Sequence, residues 1–342
     1  MIMVIFGAGA SYDSVPSRPL KIYTREKLLN RPPLAKELFL DMGIFAESLR
    51  QFSQLKPIVP YLQSIAPEKT IEHVLGELQA EGEKDSERKR QMAAIRYYLH
   101  FVIWACELQW DDVAHGTTNY VTLLDQLRRS RRENEPVLLV TFNYDRMIES
   151  ALSSLKISIS EISHYIQHNT FKLFKLHGSV HWAREVDSPI TNIGELNQWQ
   201  VASDLIDTAP NLKITDRWRL VDTRPIGKIG DTPLFPAIAI PVEMKRDFEC
   251  PNDHLDCLRS HLGTITKVLI VGWRATEVHF LKLLKDHLTT EIHVQAVMGN
   301  KQDAEEALER IKGAGIHLAG DPVEDGFTEY VVRRGAERFF GA

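Results

Sequence analysis

VLLVTFNYDRMIESAL, residues Val137 to Leu152, decides the fold because its character changes twice. Val137 to Val140 is an apolar run of strand formers, the pattern of a strand buried on both faces of a parallel sheet. Thr141, Asn143 and Asp145 arrive where that strand should end, and Met147, Ile148, Ala151 and Leu152 then recur at helical spacing. A polar cluster therefore sits at a strand-to-helix junction. In open α/β sheets such junctions hold ligands, because the carboxyl ends of parallel strands share one edge.

The same pattern repeats along the chain. Ile2 to Phe6 ends in Gly7-Ala8-Gly9-Ala10-Ser11, Phe171 to Leu176 alternates like a strand with one wet face and ends in His177-Gly178-Ser179, and Lys267 to Val271 ends in Gly272-Trp273-Arg274. Shorter strands are expected at Pro236 to Pro241, Ile292 to Val297 and Gly315 to Leu318. Pro32-Pro33 is placed to open a helix, and further helices are expected over Thr70–Ala80, Arg88–Trp110, Tyr120–Arg132, Asp253–Ile265, Glu277–His287, Gln302–Lys312 and Phe327–Phe340. Strands alternating with helices imply right-handed crossovers, a mostly parallel sheet and helices on both of its faces. We expect one α/β domain over 1–342, with 20–135 as a large helical insertion or cap over the ligand edge and 187–235 as a loop-rich excursion.

Composition narrows the function classes. The 342 residues are 44% hydrophobic, enough for a large core, and no apolar run approaches the roughly 18 residues of a membrane helix. Met1 leads straight into Ile2 to Phe6 without a basic leader, so a cytoplasmic location and no membrane partner are expected. A net charge of −5 argues against nucleic-acid binding over the whole surface. Arg128, Arg129, Arg131 and Arg132 have no aromatic interleaving and read as a solvated helix end. The three cysteines, Cys106, Cys250 and Cys257, cannot complete a four-cysteine zinc site and read as idle thiols.

Each motif has a plain structural reading beside a functional one. The turn at Gly7 to Ser11 lacks the third glycine of a dinucleotide fingerprint, since Tyr12 stands there, and is otherwise a tight turn. Asn143 is a potential helix cap, although Asp145 is better placed for that role. A histidine after a strand, such as His177, is otherwise a hydrogen-bonded structural residue. His164, His168 and His181 are neighbours rather than candidates for a base.

Taken in order, GAGAS at Gly7–Ser11, TFNYD at Thr141–Asp145, LHGS at Leu176–Ser179 and GWRATEVH at Gly272–His279 resemble the sirtuin-like family, in its prokaryotic NAD-hydrolase branch. The resemblance implies a Rossmann-like fold that binds NAD as substrate and cleaves its nicotinamide–ribose bond. It implies that Gly7, Ala8, Gly9 and Ser11 hold the pyrophosphate, that Asn143 positions the nicotinamide ribose and the attacking water, and that His177 is the general base. Asp145 then supports that loop or the ribose hydroxyls, and Gly272 lies under the adenosine ribose. Thr141, Gly178, Ser179, Glu277 and His279 complete the implied NAD-binding set, with Glu277 standing where the pattern has aspartate.

An amide that orients water at an oxocarbenium-like carbon, and an imidazole that is largely free base near neutral pH, suit this chemistry without a metal. Deacylases of the family carry a zinc module with two CxxC pairs beside an acyl-lysine groove, and this sequence has none. Neither zinc nor any other metal is expected, and water becomes the expected acceptor. The reading is thus an NAD nucleosidase, a gated NAD-depleting effector of antiphage defence, with a homo-oligomer and a sensor or hexameric DNA-translocase ATPase as expected partners. The alternatives are an ADP-ribosyltransferase or protein deacylase, and a non-catalytic module that senses NAD or ADP-ribose.

Overall fold

A computed structural model describes residues 1–15, 31–41, 43–65, 69–187, 190, 192–242 and 247–341. Ten strands run through them: β1 (Ile2–Phe6), β2 (Val137–Thr141), β3 (Phe171–Lys175), β4 (Gly178–Asp187), β5 (Lys213–Leu220), β6 (Lys228–Ile229), β7 (Thr232–Ile238), β8 (Lys267–Val271), β9 (Ile292–Val297) and β10 (Leu318–Val323). The chain divides into two compact units.

The first unit comprises Met1–Leu28, Asp111–His177 and Lys245–Ala342. It holds a six-stranded sheet in the order β10-β9-β8-β1-β2-β3, in which every pairing is parallel. β1 lies between β2 and β8, with Val4 opposite Leu139 on one side and Leu269 on the other. From β1 the chain steps one way to β2 and β3, and β8, β9 and β10 step the other way, so the order reverses between β1 and β8. That is the Rossmann-like arrangement, whose ligand crevice lies outside the strand carboxyl ends at the reversal.

Val137 to Val140 have no exposed surface, as a strand covered on both faces requires. The flanking helices bury one stripe each. In Lys301–Gly313 the buried residues Ala304, Ala307, Leu308 and Ile311 recur at helical spacing, and the Asn300 side chain caps the helix by accepting from the Asp303 N–H at 2.8 Å. No helix among the described residues is long and apolar enough to cross a membrane.

Several local expectations change in this unit. The wet face expected of Phe171 to Leu176 is reduced to a half-buried Lys172, and Lys175 is fully buried in an ion pair with Glu149. The last strand starts at Leu318, since Gly315, with φ +85°, turns the chain out of the preceding helix first. The single helix expected over Phe327–Phe340 is two, Gly326–Val332 and Gly335–Gly341, interrupted where Arg334 takes φ +55°.

The second unit comprises Leu29–Trp110 and Gly178–Met244. Its sheet runs β5-β4-β7-β6 and is antiparallel throughout. Helices Gly43–Gln51, Val59–Gln63, Ile71–Glu81, Ser86–Ala114 as far as Trp110, and Gln198–Asp207 accompany it. The Pro32-Pro33 stretch leads only to a single 3-10 turn at Ala35–Glu37, closed when the Glu37 carboxylate accepts from the Leu34 N–H at 2.8 Å.

The segment expected to be loop-rich carries regular structure. Gln198–Asp207 is a helix with a capping box between Asn197 and Gln200, and β5 to β7 follow it. Its periodicity is weak because β5 is an edge strand with no buried residue, where Lys213, Asp216, Arg217 and Arg219 replace an apolar face.

Candidate active site

The four motifs follow β8, β1, β2 and β3, which are consecutive in the sheet and parallel, so all four emerge on one edge. β1 turns at Gly7 into a short helix, Ala8–Tyr12. Glycine is required here by backbone contact. A Cβ on Gly7 would lie 2.4 Å from the Gly272 carbonyl oxygen, and one on Gly272, whose φ is +61°, would lie 2.4 Å from the Ala10 nitrogen. The Gly7 N–H donates to the Val271 carbonyl at 3.0 Å and Gly9 N–H to the Gly272 carbonyl at 3.3 Å. Gly7, Gly9 and Gly272 therefore lock the turns after β1 and β8 together, whatever ligand they also approach. Ala8 is the exposed residue of the turn.

After β2 the chain bends because the Thr141 hydroxyl accepts from the Asn143 N–H at 3.0 Å. Asn143 is 7% exposed, and its amide nitrogen donates to the Gly7 carbonyl and the Ser11 hydroxyl, both at 2.9 Å, with Tyr120 Oη at 3.4 Å. Ser11 in turn donates to Asp145 Oδ2 at 2.6 Å, and its oxygen lies 2.9 Å from Tyr120 Oη. The other Asp145 oxygen accepts from the Met147 N–H at 3.1 Å. Asp145 thus braces the turn one residue ahead of Arg146, which is the N-cap of the helix Met147–Ser154, and also anchors Ser11.

Burial pushes the Asp145 carboxyl above its ordinary pKa, against the nearby Lys175 ammonium and the Ser11 and Met147 hydrogen bonds, which favour the carboxylate. Tyr120 is raised well above an ordinary phenol, first by burial and then by the charge of Asp145, so it acts here as a neutral hydroxyl.

His177, two residues beyond the end of β3, is 5% exposed. Its ring packs against both residues that flank Asn143, with centroids 4.8 Å from Phe142 and 6.3 Å from Tyr144. His279 lies nearly parallel to it, 6.5 Å away with the planes 22° apart. Phe142 also stacks on Trp273 at 5.5 Å. The two candidate catalytic residues and the motif after β8 are thereby brought into one aromatic-walled cluster. Glu277 accepts from the Trp273 indole N–H and occupies the cap position of the helix Val278–His287.

Gly178 and Ser179 open β4 and belong to the second unit. Gly178 has φ +80°, and a Cβ there would meet the Ala237 carbonyl oxygen at 2.0 Å, so this glycine too answers to backbone packing. Ser179 is fully buried and its hydroxyl lies 3.3 Å from His181 Nδ1.

Two parts of the site were not foreseen. Tyr120 stands in the first turn of the helix Asn119–Ser130, more than a hundred residues from Ser11, and nothing local marks it. Lys175 does leave a signal, a cation at a strand position otherwise apolar. Among the described residues no group of three or more His, Cys, Asp or Glu is arranged to hold a metal ion. Cys106 and Cys250 are buried, and burial pushes the Cys106 thiol up to about 12 and Cys250 higher still, far from a reactive thiolate.

No characterised protein matches the chain in comparison. Residues 137–198 match the family model described as the SIR2-like domain, so β2, the turn with Asn143, β3 and His177 lie in sirtuin-like sequence.

Proposed function

We propose that this protein is an NAD glycohydrolase, breaking the nicotinamide–ribose bond of NAD with water as acceptor. The observation that carries the reading is the convergence of four motif-bearing strand ends on the edge beside the order reversal, with His177 against the residues that flank Asn143. As nicotinamide departs, the ribose becomes oxocarbenium-like, and the site must orient one water at the anomeric carbon. The Asn143 amide is the group for that task, held by Gly7 and Ser11. His177 takes the proton of the adding water, so that NAD and water give ADP-ribose, nicotinamide and a proton. The aromatic walls of Phe142, Tyr144 and Trp273 keep bulk water away from the reacting centre.

On this reading the enzyme is a gated effector of antiphage defence, silent until it assembles or meets a sensor or ATPase partner, because unregulated NAD cleavage would empty the cell that makes it. The test is to incubate the purified protein, alone and in its native complex, with NAD and follow nicotinamide and ADP-ribose. Release that disappears in a folded His177→Ala variant is expected. No turnover in either preparation, or turnover unchanged by His177→Ala, overturns the proposal. Adenine label appearing on a polypeptide instead of in free ADP-ribose would move the acceptor from water to protein.

A further inference from the structure

Lys175 stands in β3 two residues before His177 and has no exposed surface. Its ammonium donates to the Asp145 backbone carbonyl and lies 3.0 Å from Glu149 Oε1. Glu149, in the helix Met147–Ser154, also accepts from the Tyr165 hydroxyl at 2.8 Å. Burying such a pair strips hydration from both ions, and apolar side chains of similar volume would pack the same space at lower cost. The charge therefore calls for a reason other than packing.

We infer that Lys175 is a positioning residue for the Asn143 turn: by keeping Asp145 a carboxylate, it fixes the direction of the hydrogen bonds that end at the Asn143 amide. The inference rests on the NAD-hydrolysing reading of this site. An ionised Asp145 only accepts, so the Ser11 proton is committed to it at 2.6 Å. The Ser11 oxygen is then left to accept, from the Asn143 amide at 2.9 Å and from Tyr120. A protonated Asp145 would itself donate, Ser11 would be released to turn, and the Asn143 amide would lose one of its two close acceptors. The Gly7 carbonyl, with only the more distant Tyr120 hydroxyl at 3.4 Å beside it, would then hold it.

Burial drives Asp145 toward protonation, and Lys175 is the foremost influence opposing it, ahead of Ser11 and Met147. Glu149 works in the other direction, and Tyr120 is the remaining titratable group against this network. Lys175 also reaches both halves of the proposed pair. It ends the strand that leads into His177 and grips the turn that carries Asn143, so one side chain sets the two in register.

Lys175→Met alone leaves Glu149 buried without its cation, and the informative protein is the double variant Lys175→Met, Glu149→Gln, which removes both charges and leaves Tyr165 an acceptor. It is expected to fold, to show Asp145 protonated at neutral pH in infrared difference against Asp145→Asn, and to lose nicotinamide release on the order of 100-fold with KM little changed. The lost rate should return in part as pH rises through the Asp145 titration. A merely structural Lys175 would give native turnover and a native pH profile in the folded double variant, which overturns the inference. Should the double variant not fold, Asp145→Asn in the otherwise native chain mimics the protonated acid and is expected to show the same loss; native turnover there overturns it. If the unaltered protein proves inactive on NAD, the earlier reading fails separately, and the infrared measurement decides this one: Asp145 still ionised in the double variant overturns it.

Discussion

Asn143 donates its amide N–H to the Gly7 carbonyl oxygen at 2.9 Å, tying the turn after β2 to the turn after β1. A carbonyl oxygen can only accept, so the NH2 end of the side chain must face Gly7 and Ser11. Asn143→Asp would set a carboxylate against that carbonyl and beside the buried Asp145. It is expected to destabilise the protein by about 3 kcal/mol, whereas Asn143→Ala, which only removes the donors, should cost nearer 2 kcal/mol. Chemical denaturation of the two variants checks the order. Equal stability would mean that the amide is not held as described.

Gly272 meets the turn after β1 at backbone distance. Gly272→Ala would combine a left-handed residue, φ +61°, with a Cβ 2.4 Å from the Ala10 nitrogen. A left-handed non-glycine residue costs roughly 1–2 kcal/mol before any overlap is counted, so the melting temperature should fall sharply and NAD turnover with it. Gly299→Ala is the control. Nothing lies within 4 Å of a Cβ there, and the change should stay within about 0.5 kcal/mol of the native protein.

Asp13 caps a helix from across the unit. Its Oδ2 accepts from the Phe327 and Thr328 N–H groups at 2.9 and 3.1 Å, and its Oδ1 from the Thr328 hydroxyl at 2.6 Å. Because Asp13 directly follows the Ala8–Tyr12 helix, this cap also anchors the far end of the Ser11 turn. Asp13→Ala is expected to cost about 1–2 kcal/mol, read as a lower unfolding midpoint with unchanged slope. Asp13→Asn should recover part of it.

These contacts mark where the sequence was legible and where it was not. Val137 to Val140 announced β2 because a strand covered on both faces leaves an unbroken apolar run, and the abrupt polar residues after it announced the edge. The four motifs could be assigned to one edge from strand direction alone. What hid was whatever depends on pairing across sequence distance. Tyr120 reaches Ser11 only across that distance, and Lys175 showed its charge on an otherwise apolar strand face without showing that Glu149 is its counter-charge. The antiparallel sheet of β4 to β7 hid for another reason: β5 carries charge where a buried strand carries valine, so hydrophobic periodicity had little to report.

His254 gives a pH test of the core behind the site. It is 1% exposed in the helix Asn252–Leu262, and its Nε2 lies 2.9 Å from the Ile162 carbonyl, to which the neutral ring donates. Burial lowers its pKa from 6.5 to about 4, with the Ile162 bond and Asp253 opposing more weakly. A histidine depressed in the folded state binds its proton first when unfolded. Its contribution is therefore fully present above pH 6.5 and is lost as pH falls from there toward about 4. At about 1.36 kcal/mol per unit over a window of 6.5 − 4 = 2.5 units, the loss amounts to roughly 3 kcal/mol. Asp145, raised rather than lowered, acts with the opposite sign and gains stability for the fold on acidification, so the whole-protein curve mixes the two. The difference between native protein and His254→Leu isolates the histidine. Denaturant unfolding at a series of pH values should show the native protein losing its margin over the variant as the pH is lowered through this window. A constant difference between the two would show that His254 does not enter the fold as the neutral ring.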